Sequence, residues 1–139
     1  LTILLGMGVV GNLVGGRLAD RFGNLKTVSG AFLLLIPQLL IFVRVTDVTL
    51  ATLLLMTIGF TCYLTFSPMI VMGQQYLPGR VGFASGITIG VAVSFGGFAA
   101  PLLGRIADAA GVQAVFSLIV VFPLIAALLL AFVPKALHR

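Results

Sequence analysis

The sequence predicts an all-α membrane protein with five transmembrane helices, and three observations carry that prediction. Of the 139 residues 60% are hydrophobic, only 8% are charged, and the mean hydropathy is +1.27. A water-soluble domain of this composition would lack the polar residues to cover its surface. The charges also divide the chain into uncharged runs at 1–16, 27–43, 48–79, 81–104 and 109–134. A bilayer core needs about 20 apolar residues of helix, and the last three runs exceed that. Finally, if every run crosses, Arg17, Arg21, Lys26, Arg80, Lys135 and Arg139 share one side and Arg44 and Arg105 the other. This asymmetry obeys the positive-inside rule and places the first group, with the C-terminus, in the cytoplasm. Asp47 and Asp108 neutralise the outer pair, so the net charge of +5 lies inside. The basic balance is a topology signal; no basic stripe interleaved with aromatics points to nucleic acid as a partner.

The expected spans are 1–16, 27–45, 49–74, 82–104 and 112–134, forming one partial transmembrane domain over 1–139. The first opens on Leu1 with no charged leader, unlike a signal peptide, and is read as the interior of a longer protein whose N-terminal half precedes it. Gly6 to Gly11, GMGVVG, matches G-x-G-x-x-G. A dinucleotide fold would follow it with a second strand ending in an acid, whereas long apolar spans follow here. A glycine-lined packing face is the better reading, with Asn12 polar at membrane depth, either lining a cavity or bonding a neighbouring helix.

At Gly15 to Lys26, GGRLADRFGNLK, the apolar run gives way to a charged loop. Gly15 and Gly16 allow close helix approach, and Gly23 suits a helix end needing positive φ. The second span carries Pro37, which frees a carbonyl and predicts a kink, and Gln38 beside it. Its 17 uncharged residues are short for a span, and Lys26 and Arg44 can snorkel from the ends. Asp47 then offers a cap for the third helix.

In the third span Thr57, Thr61 and Thr65 recur every four residues and make one stripe. Each hydroxyl can face a solute or bond its own helix's carbonyls. Cys62, the single cysteine, has no second thiol to pair with and reads as a small buried apolar residue. Tyr76 is placed as an interface anchor. The fourth span repeats small residues at Gly82, Gly86, Gly90 and Ser94, then Gly96 and Gly97, a pattern for helix packing and sliding. The last span is apolar, with Pro123 inside, and suits a lipid-facing helix. His138, in the tail, reads as a solvated residue; no metal site and no cofactor are expected.

Gly104-Arg105-Ile106-Ala107-Asp108-Ala109-Ala110-Gly111 echoes Gly16-Arg17-Leu18-Ala19-Asp20-Arg21-Phe22-Gly23. The charge assignment sets the two copies on opposite faces, as in transporters built from inverted three-helix repeats.

The pattern Gly16-x-Leu18-x-Asp20-Arg21-x-Gly23 resembles the signature loop of the major facilitator superfamily, between the second and third helices of each six-helix half. Asn24 and Leu25 stand where that family usually has two basic residues. The order of the spans resembles helices eight to twelve of a twelve-helix transporter. The stretch from Ser67 to Asp108 resembles the fosmidomycin-resistance branch of drug exporters, in which Gln-Glu often stands at the place of Gln74-Gln75. The resemblance implies an antiporter in the bacterial inner membrane, not an enzyme, moving a small molecule by alternating access, usually coupled to protons. It implies that Asp20 clamps the cytoplasmic helix ends, with Arg21 as local partner and a distal partner in the other half. It also implies that Asn12, Thr57, Thr61, Thr65 and Ser94 face the solute.

No ionisable side chain lies deep in any span, so a coupling acid is expected elsewhere in the protein. Uptake of a sugar or organic acid is the competing transport reading. A receptor or accessory protein on the same fold would bind solute without flux. A redox or nucleotide enzyme is disfavoured, since no metal cluster or nucleophile–base pair accompanies the lone glycine fingerprint.

Overall fold

The computed structural model describes residues 2–132, with side chains described from residue 5. Every element is helical: α1 (Thr2–Phe22), α2 (Asn24–Arg44), α3 (Val48–Leu64), α4 (Phe66–Tyr76), α5 (Val81–Ala110), α6 (Val112–Ile119) and α7 (Val121–Ala131). α3 with α4 and α6 with α7 form continuous rods, so five rods alternate in direction through short connections. Asn24–Arg44, Val48–Tyr76, Val81–Ala110 and Val112–Ala131 are each long and apolar enough to cross a membrane. The cytoplasmic tail expected around Lys135, His138 and Arg139 lies outside the described residues.

Two features differ from the sequence reading. The stretch 15–26, expected as a loop, is helical except at Gly23. Leu18 and Ala19 are good helix formers, and Arg21 sits in the last turn, where the helix dipole favours a cation. The third and fifth rods, expected as single helices, run on as single rods but carry a local break in their hydrogen bonding at Thr65 and Val120, whose backbone stays helical. Each break lies three residues ahead of a proline, Pro68 or Pro123, whose ring crowds the preceding turn and supplies no N–H. Pro37 and Pro101 are instead held inside unbroken helices.

α2 stands at the centre, touching α1, α3, α4, α6 and α7. Its buried residues, Thr27, Val28, Ala31, Leu35 and Leu39, follow the three- and four-residue spacing of one helix face. Phe42 meets Phe116 edge to face at 4.6 Å and ties α2 to the last rod. Asp47 caps α3 by accepting from the N–H groups of Thr49 at 2.8 Å and Leu50 at 3.2 Å, which satisfies two donors left over at the helix start. Large apolar side chains point outward along every rod, as lipid demands and water forbids.

Candidate functional site

α1 and α3 cross where α1 has no side chains. Gly8, Gly11 and Gly15 fall on one helix face. A Cβ on Gly8 would come within 2.6 Å of the Tyr63 ring, and on Gly11 or Gly15 it would collide with the carbonyl oxygen of Phe60 or Leu64. The close packing expected over residues 6–11 and at Gly15 is found at Gly8, Gly11 and Gly15, while Gly6 faces open space. The Leu64 carbonyl lacks a partner within its own helix, because the residue four positions on is Pro68. A backbone irregularity in one rod is thus seated against a glycine of another.

Asn12 lies beside this crossing on α1. Its Oδ1 is enclosed and has no hydrogen-bond partner among the described residues, and the same holds for Oε1 of Gln38 on α2. An enclosed amide oxygen without a donor is costly in an apolar surround. The threonine stripe divides. Thr57 is exposed and donates to the Leu54 carbonyl at 2.8 Å. Thr61, only 1% exposed, donates to the Thr57 carbonyl, and buried Thr65 to the Cys62 carbonyl, both at 2.8 Å. Their hydroxyls thus bond their own helix, and Thr61 and Thr65 sit within helix packing. Cys62, expected as buried, is exposed.

Ser94 is not brought to this group. It lies on α5, which packs against α4 and α6, in a shallow open groove with Gly82, Gly86 and Gly90 and flanked by Phe83, Phe95 and Phe98. A Cβ on Gly82, Gly86, Gly90 or Gly97 would meet nothing within 4 Å. Among the described residues the glycine stripe expected to pack helices is open.

The charged end of α1 is ordered by Gly23, whose φ of 93° suits only glycine and whose N–H donates to the Ala19 carbonyl at 2.8 Å. The Thr27 hydroxyl donates back to the Gly23 carbonyl at 3.0 Å. Gly16 approaches Ser67, and Leu18 is half-buried. Asp20 and Arg21 are exposed, the guanidinium of Arg21 lying 5.5 Å over the Phe22 ring. In the second copy Gly104, Arg105 and Asp108 are exposed at the end of α5, and Gly111 has φ 85°.

One contact was outside the sequence reading. Gln74 Nε2 donates to Ser85 Oγ at 2.8 Å, and Ser85 donates to the Val81 carbonyl at 2.9 Å. With Gly73 admitting Thr88 and with Ala84 buried, this closes the α4–α5 hairpin. Polar residues flanking the Pro78-Gly79 turn were its signal.

The family model described as Major Facilitator Superfamily matches residues 1–139. The chain belongs to the major facilitator superfamily. It is 35% identical over 123 residues to the uncharacterized MFS-type transporter YfnC of Bacillus subtilis (strain 168), a match covering 88% of this chain and 30% of that protein. It is 33% identical over 129 residues to the fosmidomycin resistance protein of Escherichia coli (strain K12), covering 93% of this chain and 31% of that protein. The chain thus spans under a third of the length of these curated relatives. No solved structure matches it. Membership, together with the apolar helices, makes this an integral membrane protein.

Proposed function

We propose that the chain is part of a proton-coupled exporter of a small drug-like molecule, working by alternating access in the bacterial inner membrane. The observation that carries this reading is the 33% identity to a fosmidomycin resistance protein across 129 residues. The charge pattern supports an orientation with the Gly23 and Arg80 ends cytoplasmic. No enzymatic step is needed: transport asks only that a solute site be opened to each face in turn.

For the solute we propose contact at Asn12 and Ser94 first, then Thr57. Asn12 presents an amide oxygen in need of a donor, and Ser94 and Thr57 are exposed on their helices. Thr61 and Thr65 support the site by holding the broken rod, through hydroxyls bonded to its carbonyls. At the α1 end we propose that Asp20 closes the cytoplasmic face by pairing with a group from the other half of the protein.

The test is resistance. The full-length protein, expressed in a fosmidomycin-sensitive bacterium, is expected to raise the tolerated fosmidomycin concentration, and collapse of the proton gradient is expected to raise accumulation of the drug in the cell. Unchanged tolerance with verified membrane insertion would remove the drug-export reading, and uptake of a sugar or organic acid would replace it.

A further inference from the structure

The chain has three acidic residues, and local structure accounts for one of them. Asp47 sits at the start of α3, where two backbone N–H groups and the positive end of the helix dipole receive it. Asp20 and Asp108 occupy the opposite position. Each lies in the last turn of its helix, α1 or α5, where unpaired carbonyls concentrate negative charge and a carboxylate is destabilising. Each follows an arginine by three residues, Arg17 or Arg105, an order opposite to the one that favours a local helical ion pair. Both carboxylates are exposed.

The two sites also share a backbone. Gly23 has φ 93° and ψ 147°, Gly111 has φ 85° and ψ 161°. The Gly23 N–H donates to Ala19 at 2.8 Å and the Gly111 N–H to Ala107 at 2.9 Å, and a new helix begins at the next residue in both. The sequence echo is therefore a conformational one. Three rod reversals separate the copies, so they lie at opposite ends of the bundle.

We propose that the Arg105–Gly111 helix end is a second latch, closing the face of the membrane opposite to Asp20. Its partner is a cationic side chain or the N-terminus of a helix, supplied by the part of the transporter outside this chain. Such a partner would relieve the adverse placement of Asp108 only when that face is closed, and so would bias the equilibrium between the two open states. Asp20 and Asp108 then act with opposite sign. The latch rests on the alternating-access reading given above.

The test uses the full-length protein with Cys62→Ser and one reporter cysteine, Ile87→Cys toward the Gly23 end of α5 or Phe98→Cys toward the Gly111 end. Labelling by a membrane-impermeant maleimide reports which end is open. Asp108→Asn is expected to raise Phe98→Cys labelling relative to Ile87→Cys labelling by roughly two- to fivefold, and Asp20→Asn to move the ratio the other way. Asp108→Glu, which keeps the charge, is expected to label as wild type; a shift like that of Asp108→Asn would overturn a charge latch. A shift with Asp20→Asn but none with Asp108→Asn would also overturn the latch and leave alternating access standing. A ratio fixed in every variant, Asp20→Asn included, would overturn alternating access itself.

Discussion

The carbonyl oxygen of Leu64 occupies the space in which a side chain on Gly15 would begin. Pro68 explains why that oxygen is available, since it removes the N–H that would bind it within the helix. The glycine explains why α1 can come close enough to cover it. A proline in one rod and a glycine in another therefore belong to one arrangement, in which the third rod can break at membrane depth without exposing its backbone to lipid.

Replacing Gly15 by Val is expected to force α1 and α3 apart and to cost about 1–3 kcal/mol. Gly6→Ala, where nothing lies within 4 Å of the added methyl, is expected to be neutral or mildly stabilising on helix propensity. Thermal unfolding of the full-length protein in detergent checks both: equal losses would show that the crossing is not close-packed.

Pro68→Ala restores the missing donor and is expected to fuse α3 and α4 into one helix. Amide exchange at Thr65 to Met69 should then slow, as the new hydrogen bond closes the break. Exchange as fast as in the wild type would mean that something other than Pro68 breaks the rod.

These residues also show what the sequence made visible. The number of rods and the helix-ending role of Gly23 depend on charge spacing and on φ at single positions, both local properties, and they could be read without a fold. Gly8, Gly11 and Gly15 were legible as small residues on one helix face, whereas the rod they receive was not. That Pro68 would break its rod while Pro37 would not depends on which neighbours receive the freed carbonyl, and that is a tertiary fact. The open face at Gly82, Gly86 and Gly90 reads as packing in sequence because small residues look alike whether their partner lies in the chain or beyond it. The threonine stripe hides the same ambiguity, since a hydroxyl facing a solute and one bonded to its own helix occupy identical spacings.

The bond from Gln74 to Ser85 is expected to hold the α4–α5 hairpin closed. In a double-mutant cycle of Gln74→Ala and Ser85→Ala, the coupling energy should be about 0.5–1.5 kcal/mol. A coupling indistinguishable from zero would mean that the hairpin is fixed by the Gly73–Thr88 contact alone.

Gly23→Ala and Gly111→Ala each place a Cβ in a backbone region open almost only to glycine and are expected to cost about 1–3 kcal/mol. Because the two turns share dihedrals and hydrogen bonds, the two losses should agree closely. Thermal unfolding of the two variants side by side measures this; a loss at Gly23 alone would mean that the second turn relaxes and the equivalence is superficial.

The role proposed for Asp20 is to govern conformational exchange in a transporter of which this chain forms part. Its most direct test is flux of radiolabelled fosmidomycin through purified full-length protein in liposomes under an imposed proton gradient, with wild type beside Asp20→Asn. Gradient-dependent flux is expected in the wild type, and a loss of roughly tenfold or more in the variant if the clamp and its partner contribute about 1.4 kcal/mol to the cycle. Wild-type flux in Asp20→Asn would contradict the role of that residue, and no gradient-dependent flux in the wild type would contradict the proton-coupled exporter itself.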